Sequence, residues 1–113
     1  MYQFEETDWK LFRAKLPEWQ EAYMERLLAE YAELLAGDAS ASEKFWALDK
    51  RIRADRQCLG VRVHEESRSK LQDILTGLMI ENVITEDDLQ DFSESLREST
   101  HTWVQMYRKN IEE

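Results

Sequence analysis

The chain has 113 residues, of which 39 are charged, only 3 are Gly and 1 is Pro. That length predicts one domain, and so few turn-formers exclude a many-stranded β-sandwich or barrel, which needs a turn every 8–12 residues or so. The 24 acids outnumber the 15 bases, a formal net charge of −9 that excludes a protein coating nucleic acid or an anionic membrane with its whole surface. A single cysteine, Cys58, excludes an internal disulfide framework and predicts a reducing, cytoplasmic setting. No apolar run approaches the ~18–20 residues of a membrane span, and the acidic N-terminal stretch does not read as a signal peptide.

In chain order, Thr7 is placed to cap a first helix over 8–16, with Trp9, Phe12 and Leu16 on one face. Pro17 then opens a second helix over 17–36, since proline is best tolerated in a first turn. Its apolar line is Trp19, Tyr23, Leu27, Leu28, Tyr31, Leu34 and Leu35, and Gly37 is placed to end it as a left-handed cap. Ser40 and Glu43 have the spacing of a capping box for a third helix over 41–58, with Phe45, Leu48 and Ile52 in line. Val61-Arg62-Val63-His64 alternates apolar and polar residues and reads as an extended connector, because one strand has no partner here. Ser67 or Ser69 can cap a fourth helix over 68–82, with Leu71, Ile74, Leu75, Leu78 and Met79 as its stripe. Gly77 weakens that helix by up to about 1 kcal/mol relative to Ala. Thr85 followed by Glu86, Asp87 and Asp88 starts a fifth over 86–111, with Ile84 and Leu89 as a hydrophobic staple. Leu89, Phe92, Leu96, Trp103, Tyr107 and Ile111 continue one face to its end, and Ser99-Thr100-His101-Thr102 is the place where it can bend or divide. The expected fold is a compact all-α bundle of about five helices.

Charge is uneven along this bundle. Residues 1–36 carry net −4, residues 37–70 net +2 and residues 71–113 net −7. The basic middle offers Lys50, Arg53 and Arg56, about one helical turn apart, as a contact for phosphate or an acidic partner. The competing reading is a solvated face with internal pairs such as Asp49 with Arg53 and Arg51 with Asp55. On the last helix, Glu86, Asp87, Asp91, Glu94 and Glu98 form an outward carboxylate stripe. Such a stripe serves solubility, or it occupies a partner's nucleic-acid groove by imitating a row of phosphates.

Catalytic and cofactor signatures are missing from the chain. There is no CxxC, no HExxH and no glycine-rich phosphate loop, and His64 and His101 share no ligand spacing with Cys58. Asp87 and Asp88 lack the alternating acids and central glycine of a calcium loop. Arg56 near Cys58 favours some thiolate character, whereas a partly buried cysteine at a helix end is ordinarily inert. Phe45 and Trp46 are adjacent, and side chains one residue apart on a helix diverge by ~100°, so one core face cannot take both. Trp46 therefore packs against a second helix or lies at an interface as an aromatic anchor.

The run from Asp8-Trp9-Lys10-Leu11-Phe12 through Leu16-Pro17-Glu18-Trp19 to Tyr23-Met24 resembles small helical proteins encoded on bacterial mobile elements. Ser42-Glu43-Lys44-Phe45-Trp46-Ala47-Leu48 and Ile84-Thr85-Glu86-Asp87-Asp88-Leu89 are similar to further parts of the same family. The resemblance implies a genetic setting in which small acidic proteins block host defence, as anti-CRISPR proteins do, and it carries over no site residues. The expectation is thus a non-catalytic inhibitor or regulator from a phage or mobile element, without cofactor, whose acidic stripe binds a protein partner with a basic surface. The alternatives are a nucleic-acid-associated regulator acting through Lys50, Arg53 and Arg56, and a self-associating module that forms a homodimer.

Overall fold

The computed structural model describes residues 5–62 and 68–112, which contain helices and turns and no strand. Four α-helices follow in order: α1 (Glu6–Ala36), α2 (Ala41–Asp55), α3 (Leu71–Ile80) and α4 (Glu94–Glu112). Two short 3₁₀ turns, Arg68–Lys70 and Glu86–Leu89, precede α3 and α4. The all-α class is as expected, with four helices in place of about five. Val63, His64 and Ser67 lie outside the described residues.

The expected boundary at Pro17 is absent, for α1 runs unbroken through it. Proline inside a helix removes one backbone bond and costs up to about 3 kcal/mol relative to Ala. What holds the helix across it is a row of aromatics that straddles the proline. Trp9 stacks on Phe12 with ring centroids 5.8 Å apart, Phe12 meets Trp19 at 6.4 Å, and Trp19 meets Phe92 at 6.2 Å. Trp9, Phe12, Leu16 and Trp19 are all buried, so both sides of Pro17 are bound to the same core while the proline itself faces solvent. The N-cap is Glu5 and not Thr7, which lies inside the helix, and Gly37 ends the helix in an extended conformation and not a left-handed one.

The core lies between the N-terminal half of α1, the second 3₁₀ turn, α3 and α4. Leu71, Ile74, Leu75, Leu78 and Met79 of α3 are buried as their spacing predicts, together with Ile84, Leu89, Phe92, Leu96 and Val104. The residue at the N-cap of α3 is Lys70, whose side chain makes no capping hydrogen bond, and the preceding 3₁₀ turn leads in through it. Its other end is a Schellman turn: the Val83 N–H donates to the Leu78 carbonyl at 2.9 Å and the Asn82 N–H to the Met79 carbonyl at 3.1 Å. Asn82 takes the left-handed conformation this turn requires, with φ 62°. Gly77 is less a weak point than a clearance, because a Cβ there would stand 2.5 Å from Leu59 Cδ1.

The break in the last helix falls at 90–93 and not at 99–102. Asp8, buried near the start of α1, reaches across and fixes Ser93. Its Oδ1 accepts the Ser93 N–H at 2.8 Å and its Oδ2 accepts the Ser93 hydroxyl at 2.6 Å. Ser93 Oγ in turn accepts the Leu96 N–H at 3.2 Å, and its carbonyl accepts the Arg97 N–H at 3.0 Å, so Ser93 begins α4. Residues 99–102 stay helical because their hydroxyls find partners that leave the ladder intact. Thr100 Oγ1 accepts Gln72 Nε2 at 2.9 Å across the α3–α4 contact, and the Thr102 hydroxyl donates to the Glu98 carbonyl at 3.0 Å.

Replacing Pro17 by Ala should raise stability by roughly 1–3 kcal/mol, read as a higher midpoint in chemical denaturation. Asp8→Ala should cost about 2–3 kcal/mol, because two hydrogen bonds to one buried carboxylate disappear.

Candidate functional site: an acidic recess at the start of α4

The carboxylate stripe read from the sequence is partly gathered and partly dispersed. Glu86 stands on the 3₁₀ turn Glu86–Leu89, while Glu94 and Glu98 stand one turn apart at the start of α4. These three line one open recess together with Arg97, His101 and Thr102. His101 Nδ1 is hydrogen-bonded to Glu86 Oε1, which ties the 3₁₀ turn to the second turn of α4. Asp87 lies beside the recess and accepts Gln90 Nε2 at 3.4 Å. Asp91 is drawn toward α1, where Lys15 Nζ comes within 3.8 Å. Asp88 is spent locally, since its carboxylate accepts the Thr85 N–H at 2.7 Å and the Thr85 hydroxyl at 3.3 Å. Sequence reasoning missed Arg97 and His101 as members of this wall. The signal was available, for Glu94, Glu98 and His101 follow at helical spacing on one face.

The basic residues and Trp46 sit elsewhere. α2 lies along the C-terminal half of α1, held by a polar cluster. The Tyr31 hydroxyl donates to Asp55 Oδ2 at 2.5 Å, Arg51 Nη2 meets Glu30 Oε1 at 2.5 Å, and Arg51 Nε meets Asp55 Oδ2 at 3.0 Å. The recess belongs to the Asp8 end of α1, and the two regions are separated by roughly 35 Å of helix. Trp46 therefore stands apart from the acidic stripe. It is 62% exposed and packs edge-on against Phe45, itself 64% exposed, with centroids 5.0 Å apart. No residue of α2 is buried, so the expected core line Phe45, Leu48, Ile52 is a surface feature. Lys50, Arg53 and Arg56 are exposed on α2 or at its end, with Arg53 paired to Asp49 at 2.8 Å. Ser40 caps α2 as expected, its Oγ accepting the Glu43 N–H at 3.3 Å, while its hydroxyl and not its backbone N–H meets Glu43 Oε1 at 3.1 Å. The helix ends at Asp55 and not at 58, and residues 56–61 form turns.

These turns return to the body of the molecule through Gln20 Nε2, which donates to the Leu59 carbonyl at 3.1 Å, and through the Leu59 N–H, which donates to Glu81 Oε1 at 2.8 Å. Gly60 is buried here, and a Cβ would overlap the Tyr23 ring and stand 2.7 Å from Val83 Cγ2. Burial, and then the Glu81 carboxylate, push the neighbouring Cys58 thiol up, away from the thiolate character that Arg56 would favour. Burial also pushes Tyr23 and Tyr31 up to about 12, helped at Tyr31 by the bond to Asp55. Among the described residues, no group of three or more His, Cys, Asp and Glu side chains could hold a metal ion. No described helix is long and apolar enough to cross a membrane.

The raised tyrosines set a sign for alkaline behaviour. Folding favours their neutral form, so their contribution is complete below the ordinary value of 10.0 and is lost as pH rises through about 12. Denaturation midpoints measured across that window should fall, and Tyr31→Phe should flatten the fall. Compared with known proteins, the chain matches no family model, no curated protein and no solved structure.

Proposed function

We propose that this chain is a non-catalytic protein-binding module that presses the acidic surface around the start of α4 onto a basic surface of a partner. The observation that carries this reading is the convergence of Glu86, Glu94 and Glu98 on one open recess, with Asp87 exposed next to Glu86 and Asp91 exposed toward α1. Carboxylates held along a helix complement the arginines and lysines of a nucleic-acid groove, steer association and exclude the natural ligand. This is the mode of an inhibitor or regulator, and the resemblance to proteins of bacterial mobile elements supports an anti-defence role inside the host cell. A second reading, a nucleic-acid-associated regulator, draws support from the exposed Phe45 and Trp46 beside Lys50, Arg53 and Arg56, since bases stack on such rings.

The test is capture from bacterial lysate on the immobilised chain, read by mass spectrometry. Basic nucleic-acid-binding proteins should be retained by the wild type and lost by the triple variant Glu86→Lys, Glu94→Lys, Glu98→Lys, with helicity and melting unchanged. Capture that survives the charge reversal sinks the acidic-surface reading. A flat titration with single-stranded oligonucleotides at low salt eliminates the second.

A further inference from the structure

Large apolar side chains left in solvent are not scattered over this molecule. Eight of the nine among the described residues fall on two surfaces, the exception being Trp46.

One surface is a ridge. α3 has 10 residues and α4 has 19, so α4 outreaches its partner by about 13 Å. The two helices meet through the Gln72–Thr100 bond, and the last buried residue of α4 is Val104. From Trp103 on, the core-facing stripe nonetheless runs out into solvent through Tyr107 and Ile111 with Met106 beside it, and Ile111 is 65% exposed. Arg108 and Lys109 flank this ridge with no ion-pair partner among the described residues.

The other surface is a groove. The four-residue link at 37–40, with Tyr31 bonded to Asp55 and Gln20 to Leu59, sets α1 and α2 as an antiparallel pair. On one side of that pair Met24, Leu28, Ile52 and Val61, together with Asp55 and Arg56 from the end of α2, line a cleft of about 180 Å³. Leu35 is seven residues from Leu28 and Phe45 seven from Ile52, so these two exposed side chains continue the same helix faces beyond the cleft. Two helices with an open apolar seam are a bundle missing its third member. Glu18, Glu21 and Glu25 stand along the α1 bank, exposed and without an ion-pair partner among the described residues.

Ridge and groove are complementary in shape class and in charge: a basic-flanked apolar helix, and an apolar seam with an acidic bank. We infer that the occupant of the groove is the α4 overhang of a second copy of this chain, and that two copies exchange overhangs about a twofold axis. Trp103, Tyr107 and Ile111 of each copy lie in the seam between Leu28, Leu35, Phe45 and Ile52 of the other, with Arg108 and Lys109 against Glu21 and Glu25. Reciprocal exchange doubles the contact, and eight roughly half-exposed apolar side chains per copy bring the apolar area alone to ~1,200 Å², the scale of a stable specific interface. Twofold closure consumes both surfaces, so association stops at two. The acidic recess is on the outer side of α4 and stays open, so this assembly is independent of the proposed function.

Size-exclusion chromatography with light scattering tests it. The full chain at micromolar concentration should run at about 27 kDa, twice the 13.5 kDa of one copy. Tyr107→Glu with Ile111→Glu should give a monomer of unchanged helicity, and so should Leu28→Glu with Leu35→Glu. An equimolar mixture of these two variants retains one intact ridge and one intact groove, and should recover a weaker dimer. Arg108→Glu with Lys109→Glu should weaken association at least tenfold, and adding Glu21→Lys with Glu25→Lys should restore it. A monomer at every concentration overturns the inference. So do a dimer indifferent to the ridge and groove variants, and a mass that grows with concentration without levelling at two.

Discussion

The fold turns on one buried carboxylate. Asp8, in the first turn of α1, receives both the N–H and the hydroxyl of Ser93, 85 positions along the chain. The contact does two things at once. It satisfies a polar group taken out of water, and it fixes the residue that caps α4 and so the direction in which α4 departs. With the starts of α1 and α4 held together, α3 is enclosed between them, and Trp19 reaches Phe92 to close the aromatic row. That row carries α1 past Pro17. The length of α1, the direction of α4 and the place of the recess follow from this single tie.

The segments that contribute to this core are legible in the sequence. The stripe on α3 and the positions Trp9, Phe12, Leu16 and Trp19 are buried as their three- and four-residue spacing requires. The boundaries were misread where a tertiary contact overrides a local preference. Pro17 reads as a start because propensity says nothing of the tryptophans on either side of it, and Ser99–Thr102 reads as a break because Gln72 is distant in sequence. The true break at Ser93 depends on Asp8, a residue no local window contains. Periodicity also assigns an apolar face without saying whether anything covers it. Phe45 and Ile52 on α2, and Trp103, Tyr107 and Ile111 on α4, have the spacing of core residues and lie in solvent.

The candidate site divides in the same way. Glu94 and Glu98 stand one turn apart on α4, so their pairing is readable from spacing, whereas Glu86 joins them only because the chain turns at Ser93, where Asp8 holds it. That Trp46 lies at the other end of α1 is not, since it depends on where α2 is held. The interior of α1 therefore separates two surfaces of opposite character, a carboxylate wall near Asp8 and an aromatic, basic surface near Tyr31.

The manner in which α2 is held has a thermodynamic consequence. A helix that buries no side chain and rests on a few hydrogen bonds and ion pairs opens at a fraction of the free energy needed to unfold the core. Its amide protons exchange with solvent by that local route, while those of α3 await global unfolding. Among the described helices, α2 is thus a less stable unit than α3. Any contact that covers it slows its exchange by a factor that measures how tightly the contact is made.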